Sequence, residues 1–359
     1  MAKNVYIHIP FCKGKCNYCS FVSFDRLDLK EQYLNALKKQ IQAEYKGEKF
    51  NTLYFGGGTP SLLKTEELKE IIELFNLQFD AEITIEVNPE GVNEGYFEDL
   101  KKIGINRISI GAQTFNDDTL KIISRRHASA HIHKAVNAAN IYFDNISLDL
   151  IYGLPAQNIT DFENDLKMAI DLGVQHVSLY GLKLEENCNF YKNPPMAPVP
   201  ELEEQADMYL KAVEILKNAG FEHYEVSNFS KKGFESKHNL NYWNNNTYYG
   251  FGCSASGYVE NVRYTNETNL EKYIENPLKK ISEHKLSKQE IMEEAIFLGL
   301  RKIAGINIDE LNQKFDIDFN SKYAKILEKY SKYFIKTPVG WALSLEGLLV
   351  SNEILSEFV

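Results

Sequence analysis

Three of the five cysteines stand close together near the start of the chain. Cys12, Cys16 and Cys19 follow residues 5–11, an apolar run with the composition of a buried strand. Thiols at this spacing can serve one metal centre, and no fourth cysteine lies beside them. A cubane iron-sulfur cluster held by three thiolates has one iron without a protein ligand, as a reactive centre requires. The alternative is a zinc site, although zinc sites usually pair two C-x2-C units or add a histidine.

A run of three glycines, residues 56–58, follows the second apolar segment and precedes Thr59 and Pro60. Glycine permits positive φ and lets the backbone approach a ligand closely, and the exposed amides can bind the ligand's charged ends. The same run is also typical of a tight turn without a ligand. The glycines alone therefore leave both interpretations open.

Four polar residues, Glu86, Gln113, Arg125 and Asp149, lie at or after the ends of later apolar segments. A carboxylate inside an apolar run is costly unless it is paired or binds a ligand. Asp149 is therefore a natural acceptor for ribose hydroxyls, and Arg125 is a natural partner for a carboxylate. The alternative for each is a buried structural ion pair.

The elements that must position these residues are short strands alternating with helices, from the start of the chain to about residue 220. The strands are predicted at residues 5–10, 52–55, 82–87, 107–112, 146–151 and 176–182. Helix-connected strands are expected to be parallel, and apolar strands to be buried on both faces. We therefore predict an α/β fold with a partial (β/α)6 barrel of the TIM type. In such barrels the reactive groups lie at the carboxyl ends of the strands.

A small second domain is predicted at the end of the chain. We expect the barrel to span residues 1–235, a connecting segment 236–287, and a mainly helical domain 288–359 with helices near 291–303, 308–315 and 322–334. A hairpin near 340–347 makes this domain similar to a winged helix. Residues 288–359 carry nine Lys or Arg against eleven Asp or Glu, a net of −2. A phosphate-binding face needs positive charge, so we expect a structural role and no nucleic acid.

Composition narrows the class of protein further. The net charge of −10 disfavours a general binder of phosphate backbones. The sequence shows neither a signal peptide nor a run of about 18 apolar residues, the length of a membrane span. Clustered cysteines without a disulfide framework suggest a reducing compartment, so the cytoplasm is expected. Cys188 and Cys253 stand alone and are expected to be small buried residues.

The C-x3-C-x2-C spacing after the first strand resembles the radical S-adenosylmethionine superfamily. This resemblance implies a [4Fe-4S] cluster whose open iron binds S-adenosylmethionine, and a glycine motif for the methionine moiety. Taken in order, the segments resemble the oxygen-independent coproporphyrinogen III oxidases and their heme-chaperone relatives. The resemblance implies that one set of residues contacts S-adenosylmethionine: Tyr6, Tyr18, Gly57, Gly58, Thr59, Glu86, Gln113, Arg125 and Asp149.

Two features favour the heme-chaperone branch, HemW. The oxidases carry a further cysteine two residues after the third ligand, where this chain has Phe21. Residues 238–243 read HNxxYW, which resembles a motif of the chaperone branch. A neutral imidazole can bind heme iron, so His238 is assigned to a heme site, with a structural loop as the alternative.

The resemblance thus implies a protein that delivers heme to apo-hemoproteins of respiration, supplied by a low-potential electron donor. Any association with a membrane is expected through partners only. The alternative is oxidative decarboxylation of coproporphyrinogen III, which Phe21 disfavours. The sequence leaves open whether the chain is itself a catalyst, and no catalytic residue is assigned.

Overall fold

Six parallel strands form the centre of the fold. The computed structural model describes residues 3–359. Each of the six predicted strands overlaps an observed one, and their order in the sheet follows the sequence. The α/β barrel class is thereby confirmed. The strands are β1 (Asn4–Ile9), β2 (Lys49–Gly57), β3 (Asn76–Val87), β4 (Arg107–Gln113), β5 (Ile146–Tyr152) and β6 (His176–Gly181).

Helices cover the outer face of these strands. Alternate residues of a strand share a face, and Val5, Ile7 and Ile9 of β1 are fully buried in the main hydrophobic core. The helices of this layer pack their own apolar residues against that face. They are α1 (Lys30–Glu44), α2 (Thr65–Ile72), α3 (Glu94–Lys102), α5 (Ser129–Asn140), α6 (Ile159–Asp171) and α8 (Leu202–Asn218). Two short helices, α4 (Asp117–Ile122) and α7 (Asn189–Lys192), pack in a smaller cluster with Ile151 and Leu154.

The inner face of the strands is polar instead. The residues of β1 between its apolar positions are Asn4, Tyr6 and His8, and Asn4 lies beside Thr52 of β2. Buried polar side chains are stable only when they are hydrogen-bonded, so this interior must be a connected network. Its buried members near the amino ends of the strands are Asn4, Thr52, Glu82, Arg107, Ser147 and His176.

Three further strands extend the sheet at its two edges. β7 (Glu222–Glu225) and β8 (Asn228–Ser230) are antiparallel additions beside β6, and β9 (Tyr249–Phe251) pairs in parallel with β1. Helix α9 (Lys237–Trp243) lies between β8 and β9 and carries the HNxxYW motif. A separate antiparallel sheet follows, of β10 (Ser256–Val259), β11 (Val262–Asn266) and β12 (Lys280–Lys285), with α10 (Leu270–Glu275).

The last part of the chain has its own hydrophobic core, built from residues between Met292 and Phe358. Three antiparallel strands in the order β13-β15-β14 lie among short helices, which is similar to a winged helix. The domain limits at residues 235 and 287 stay a prediction. The elements are α11 (Lys288–Gly299), β13 (Ile306–Asn307), α12 (Ile308–Phe315), α13 (Phe319–Lys322), α14 (Ala324–Lys329), β14 (Phe334–Thr337), β15 (Gly340–Leu343), α15 (Leu345–Leu349) and α16 (Ser351–Ser356).

One local prediction for this region is wrong. The single helix predicted at 322–334 is divided, with α14 ending at Lys329 and β14 beginning at Phe334. The predicted hairpin is present, since β15 pairs with β14, and it ends at Leu343, where the Ser344 side chain accepts a hydrogen bond from the Gly347 amide and caps α15. In the described part of the chain, no helix combines the length and apolar composition needed to cross a membrane.

Candidate cofactor site

A cavity of about 770 Å³ opens where β2 to β6 end. It contains eleven of the thirteen predicted site residues, while Tyr6 and His238 are not part of its lining. Parallel strands bring their carboxyl ends to one edge, which explains why residues far apart in sequence meet here. The eleven are Cys12, Cys16, Cys19, Tyr18, Gly57, Gly58, Thr59, Glu86, Gln113, Arg125 and Asp149.

The cysteine loop is held in place by backbone hydrogen bonds to other segments. The Cys12 amide donates to the Phe24 carbonyl at 3.1 Å, and the Asn17 amide donates to the Ile123 carbonyl at 3.2 Å. All three thiols are free and half-buried, which leaves their sulfur atoms available to the cavity. Burial raises the pKa of Cys19, and the neighbouring Cys16 and Cys12 raise it further.

The donor set of this loop suits a cluster. Among residues 3–359, no three His, Cys, Asp or Glu side chains form a group that could hold a single metal ion. A cubane cluster does not require its three thiolates to converge on a single ion, because each thiolate binds a different iron of one core. Three clustered thiols whose proximity raises the pKa of Cys19 therefore fit a cationic iron core, which would favour their thiolate forms.

The glycine run packs directly beneath the cysteine loop. Gly57 has a φ of +113°, and a Cβ there would come within 2.6 Å of the His8 ring. A Cβ at Gly58 would come within 2.6 Å of the Phe11 carbonyl oxygen. Neither contact is sterically allowed, so only glycine lets β2 approach the loop this closely. Thr59 follows, with its hydroxyl 3.5 Å from the Cys12 sulfur.

Glu86 connects the glycine run with the barrel interior. Its carboxylate accepts a hydrogen bond from the Gly57 amide at 3.1 Å and one from the Tyr54 hydroxyl at 2.8 Å. Burial raises the pKa of Glu86 to about 7, and the Tyr54 hydrogen bond opposes that shift. A carboxyl group with this pKa gains its charge readily when a cationic ligand arrives. The amino and sulfonium groups of S-adenosylmethionine are cations of that kind.

Asp149 lines the same cavity from β5, two strands along the sheet from Glu86, and its charge acts on Glu86. The Ser109 hydroxyl lies 3.0 Å from both of its carboxylate oxygens. Burial raises the pKa of Asp149, while hydrogen bonds from Ser178 and Ser109 lower it. Its oxygens form no ion pair among the described residues, which contradicts a simple structural salt bridge. The carboxylate is therefore placed to accept hydroxyl donors from a ligand.

Arg125 keeps one nitrogen free of protein partners. Its Nη2 donates to the Asn88 side chain at 2.8 Å and to the Gly111 carbonyl at 2.7 Å, and its Nη1 lies 3.8 Å from the Cys16 sulfur. Its buried Nε has no hydrogen-bond partner within the described structure. A buried unsatisfied donor beside a cavity indicates a ligand acceptor, such as a carboxylate.

Tyr18 and Gln113 complete this side of the cavity. Burial raises the pKa of Tyr18, and the nearby positive charge of Arg125 lowers it. Gln113 has a φ of +70° at an irregularity in the pairing of β4 with β5. A non-glycine residue in this region is uncommon, and strained backbone of this kind recurs at ligand sites as well as in turns.

Tyr6 and His238 lie below the cavity, in the barrel interior. His238 is 1% exposed, and its Nδ1 and Nε2 lie 2.7 Å from the Thr52 hydroxyl and 2.8 Å from the Tyr242 hydroxyl. The Tyr6 hydroxyl lies 3.0 Å from the His8 ring. Helix α9 therefore closes the amino end of the barrel, and the His238 nitrogens are already engaged.

Several residues of the cavity wall were not predicted from the sequence. They follow an i, i+2 alternation of polar residues within apolar strands, a signal that marks the inner face of the barrel. Asn239 is the exception, because it comes from α9 and no strand pattern indicates it. The unpredicted residues are Tyr54, Asn88, Arg107, Ser109, Ser178, Tyr180 and Asn239.

Comparison with known proteins agrees with this geometry. Residues 6–169 match the radical SAM superfamily and residues 286–350 match the HemN C-terminal domain. The heme chaperone HemW of Lactococcus lactis is 37% identical over 332 residues, covering 90% of this chain and 87% of that protein. HemW of Bacillus subtilis is 34% identical over 375 residues, covering 99% of both. The solved coproporphyrinogen III oxidase HemN of Escherichia coli has the same fold, with a TM-score of 0.88 and 23% identity over 99% of this chain and 89% of that one.

Proposed function

We propose that this chain, which belongs to the HemW family of heme chaperones within the radical SAM superfamily, binds heme and delivers it to apo-hemoproteins. The observation that carries this proposal is the similarity to heme chaperones over nearly the whole length of both chains. The cavity supports it by joining the residues for a cluster and for S-adenosylmethionine in one place.

The three cysteines would hold the cluster, and polar residues of the cavity wall would hold S-adenosylmethionine. Cys12, Cys16 and Cys19 would bind three irons of a [4Fe-4S] cluster and leave the fourth iron to S-adenosylmethionine. When bound, the reduced cluster supplies an electron that can split the sulfonium of S-adenosylmethionine. Arg125, with its unsatisfied Nε, would hold a carboxylate, and Asp149 would accept the ribose hydroxyls.

Phe21 supports the chaperone over the oxidase. It lines the cavity at the position where the oxidases carry a further cysteine, and a phenyl ring supplies neither a thiol nor a proton. The similarity to the solved oxidase, at 23% identity, concerns the fold. Decarboxylation of coproporphyrinogen III is therefore the less supported function. The role of His238 in a heme site stays a prediction. The enclosure of its imidazole by Thr52 and Tyr242 does not favour that role.

The partners follow from the proposed function. We place the protein in the cytoplasm, where reduced cysteines can hold a cluster, and expect apo-hemoproteins of respiration as acceptors. A low-potential electron donor would reduce the cluster. No nucleic-acid partner is expected at a net charge of −10.

One experiment separates the two functions. The cluster is reconstituted under anaerobic conditions, heme is titrated by absorbance, and coproporphyrinogen III is incubated with the same sample and a low-potential reductant. We expect saturable heme binding and no decarboxylated product. Turnover of coproporphyrinogen would contradict a pure chaperone, and absence of heme binding would contradict the chaperone itself.

A further inference from the structure

Phe21 is held with its ring in solvent at the entrance of the cofactor cavity. The side chain is 65% exposed although it lines the cavity. The residues on either side of it are fixed, since Asn187 donates to the Ser20 carbonyl at 2.9 Å and the His8 ring nitrogen lies 2.9 Å from the Val22 carbonyl. These hydrogen bonds fix the backbone of the loop on both sides of Phe21.

A second apolar side chain is exposed beside this opening. Leu27 is 40% exposed and lines the cavity together with Phe21. Single exposed apolar residues are ordinary, but two of them on one cavity wall mark a binding surface. We call Phe21 and Leu27 the apolar rim.

Two cations beside the apolar rim are without acidic partners. Lys13 and Lys15 line the cavity and are exposed, and neither forms an ion pair among residues 3–359. The other basic residues of the entrance are already paired, Arg126 with Glu90 at 3.4 Å and Lys183 with Glu185 at 2.6 Å. In a chain with a net charge of −10, two unpaired lysines at an apolar opening are suited to an anionic ligand.

We propose that heme is held at this entrance, with Phe21 packed on a porphyrin face and Lys13 and Lys15 bound to the propionates. The inference rests on the proposed function for the identity of the cargo. A flat apolar ring with two carboxylates matches an apolar rim beside two lysines. A binding site at the protein surface also leaves one face of the heme accessible to the receiving protein, as a carrier requires.

A second cavity of about 720 Å³ fits heme less well. It lies between α9 and α11 and is lined by Tyr242, Tyr248 and Phe297 together with Glu290, Glu293 and Glu294. Its arginine, Arg263, is already bound to Glu294 at 2.5 Å. Three carboxylates would repel the propionates, so the charge of this cavity opposes the same ligand.

The test is a titration of the cluster-loaded protein with ferric heme, followed by absorbance. We expect Phe21→Ser to weaken heme binding about tenfold or more, and Phe21→Trp to retain it, because stacking and buried area are lost only in the serine variant. Phe79→Ser is the control, since Phe79 is 108% exposed and lines neither cavity. The cluster absorbance of each variant checks that the loop is intact.

The lysines are tested independently. Lys13→Gln with Lys15→Gln should weaken heme binding about fivefold at low salt and leave heme dimethyl ester unaffected, because the ester carries no propionate charge. The control is Lys39→Gln with Lys217→Gln, two exposed lysines outside the cavity. If wild-type protein binds no heme, the proposed function fails. If it binds heme and both sets of variants stay within twofold of it, the function stands and the entrance site is wrong. If Phe21→Ser loses its cluster, the entrance site is tested by the lysine variants alone, from their affinities for heme and for heme dimethyl ester.

Discussion

The His238 imidazole stacks on the Tyr54 ring, with 4.9 Å between the ring centroids and 24° between the planes. The Tyr54 hydroxyl donates to Glu86 in the cofactor cavity, so one aromatic ring separates the His238 imidazole from the cavity, while Asn239 of the same motif lines the cavity directly. The Glu82 carboxylate accepts hydrogen bonds from the His238 and Lys237 amides at 3.0 Å and fixes α9 beneath this ring. The motif therefore supports the floor of the site.

His238→Ala should lower the free energy of unfolding by about 2 to 4 kcal/mol, because it removes a buried ring and its hydrogen bonds to the Tyr242 hydroxyl and to the Thr52 hydroxyl, which keeps only Asn4. We expect the heme absorbance bands to keep their positions, since the imidazole is 1% exposed. Denaturant unfolding and a heme titration measure the two effects. His284→Ala is the control, because that side chain is 63% exposed. A shift of the heme bands with unchanged stability would instead make His238 an iron ligand.

Cys16→Ala should abolish the absorbance of the reconstituted cluster, because two thiolates cannot retain the cubane that three hold. Cys253→Ala is the matched control. Cys253 is fully buried in the hydrophobic core, and burial raises the pKa of its thiol to about 12, so it stays protonated and inert. Iron and sulfide content per chain should be close to zero in the first variant and unchanged in the second. A full cluster in Cys16→Ala would contradict the ligand assignment.

Glu86→Gln should change how stability depends on pH. Burial raises the pKa of Glu86 from 4.5 to about 7, so between these values the folded protein holds a proton that the unfolded chain has lost. The contribution of Glu86 to stability therefore falls as pH rises from about 4.5 to about 7, and it is constant above. The variant cannot ionise at this position and should gain stability relative to wild type across that window.

The measurement for Glu86 is denaturant unfolding of both proteins at several pH values between 5 and 8. Glu225 also has a pKa raised by burial to about 7, so wild type alone would mix two groups. The difference between wild type and Glu86→Gln isolates one of them. A difference that does not vary with pH would show that Glu86 ionises normally.

The strands and most of the cavity could be predicted because their signals are local. Parallel strands buried beneath helices appear as short apolar runs, and the carboxyl ends of those runs must meet. Gln113 and Asp149 were placed together by that rule alone, although they belong to separate strands.

The floor and the entrance of the cavity could not be predicted in the same way. The position of α9 depends on Glu82, which lies 156 residues from His238, and no local pattern indicates such a contact. Phe21 is 65% exposed in a loop whose neighbouring carbonyls are bound by Asn187 and His8, both distant from it in sequence or fold, whereas a phenylalanine met in a sequence is expected to be buried.

Gly57→Ala should weaken the binding of S-adenosylmethionine at least tenfold. The alanine Cβ would lie 2.6 Å from the His8 ring, so either β2 or the His8 side chain of β1 must move. The amide of Gly57 on β2 is bound to Glu86, and β1 leads into the cysteine loop, so a shift of about 1 Å here is enough for a large loss of binding. Equilibrium dialysis of the cluster-loaded protein measures the affinity.

Gly47→Ala separates this clash from simple backbone strain. Gly47 also has a positive φ, +88°, but a Cβ there would meet no atom within 4 Å. Both variants should lose about 1 to 2 kcal/mol of stability from the left-handed conformation, since that cost depends on the backbone alone. Only Gly57→Ala should also lose S-adenosylmethionine binding, because only there does the added methyl group clash with a neighbouring strand, at His8 of β1. Equal affinities in the two variants would mean that the close packing of Gly57 against His8 does not shape the cofactor site.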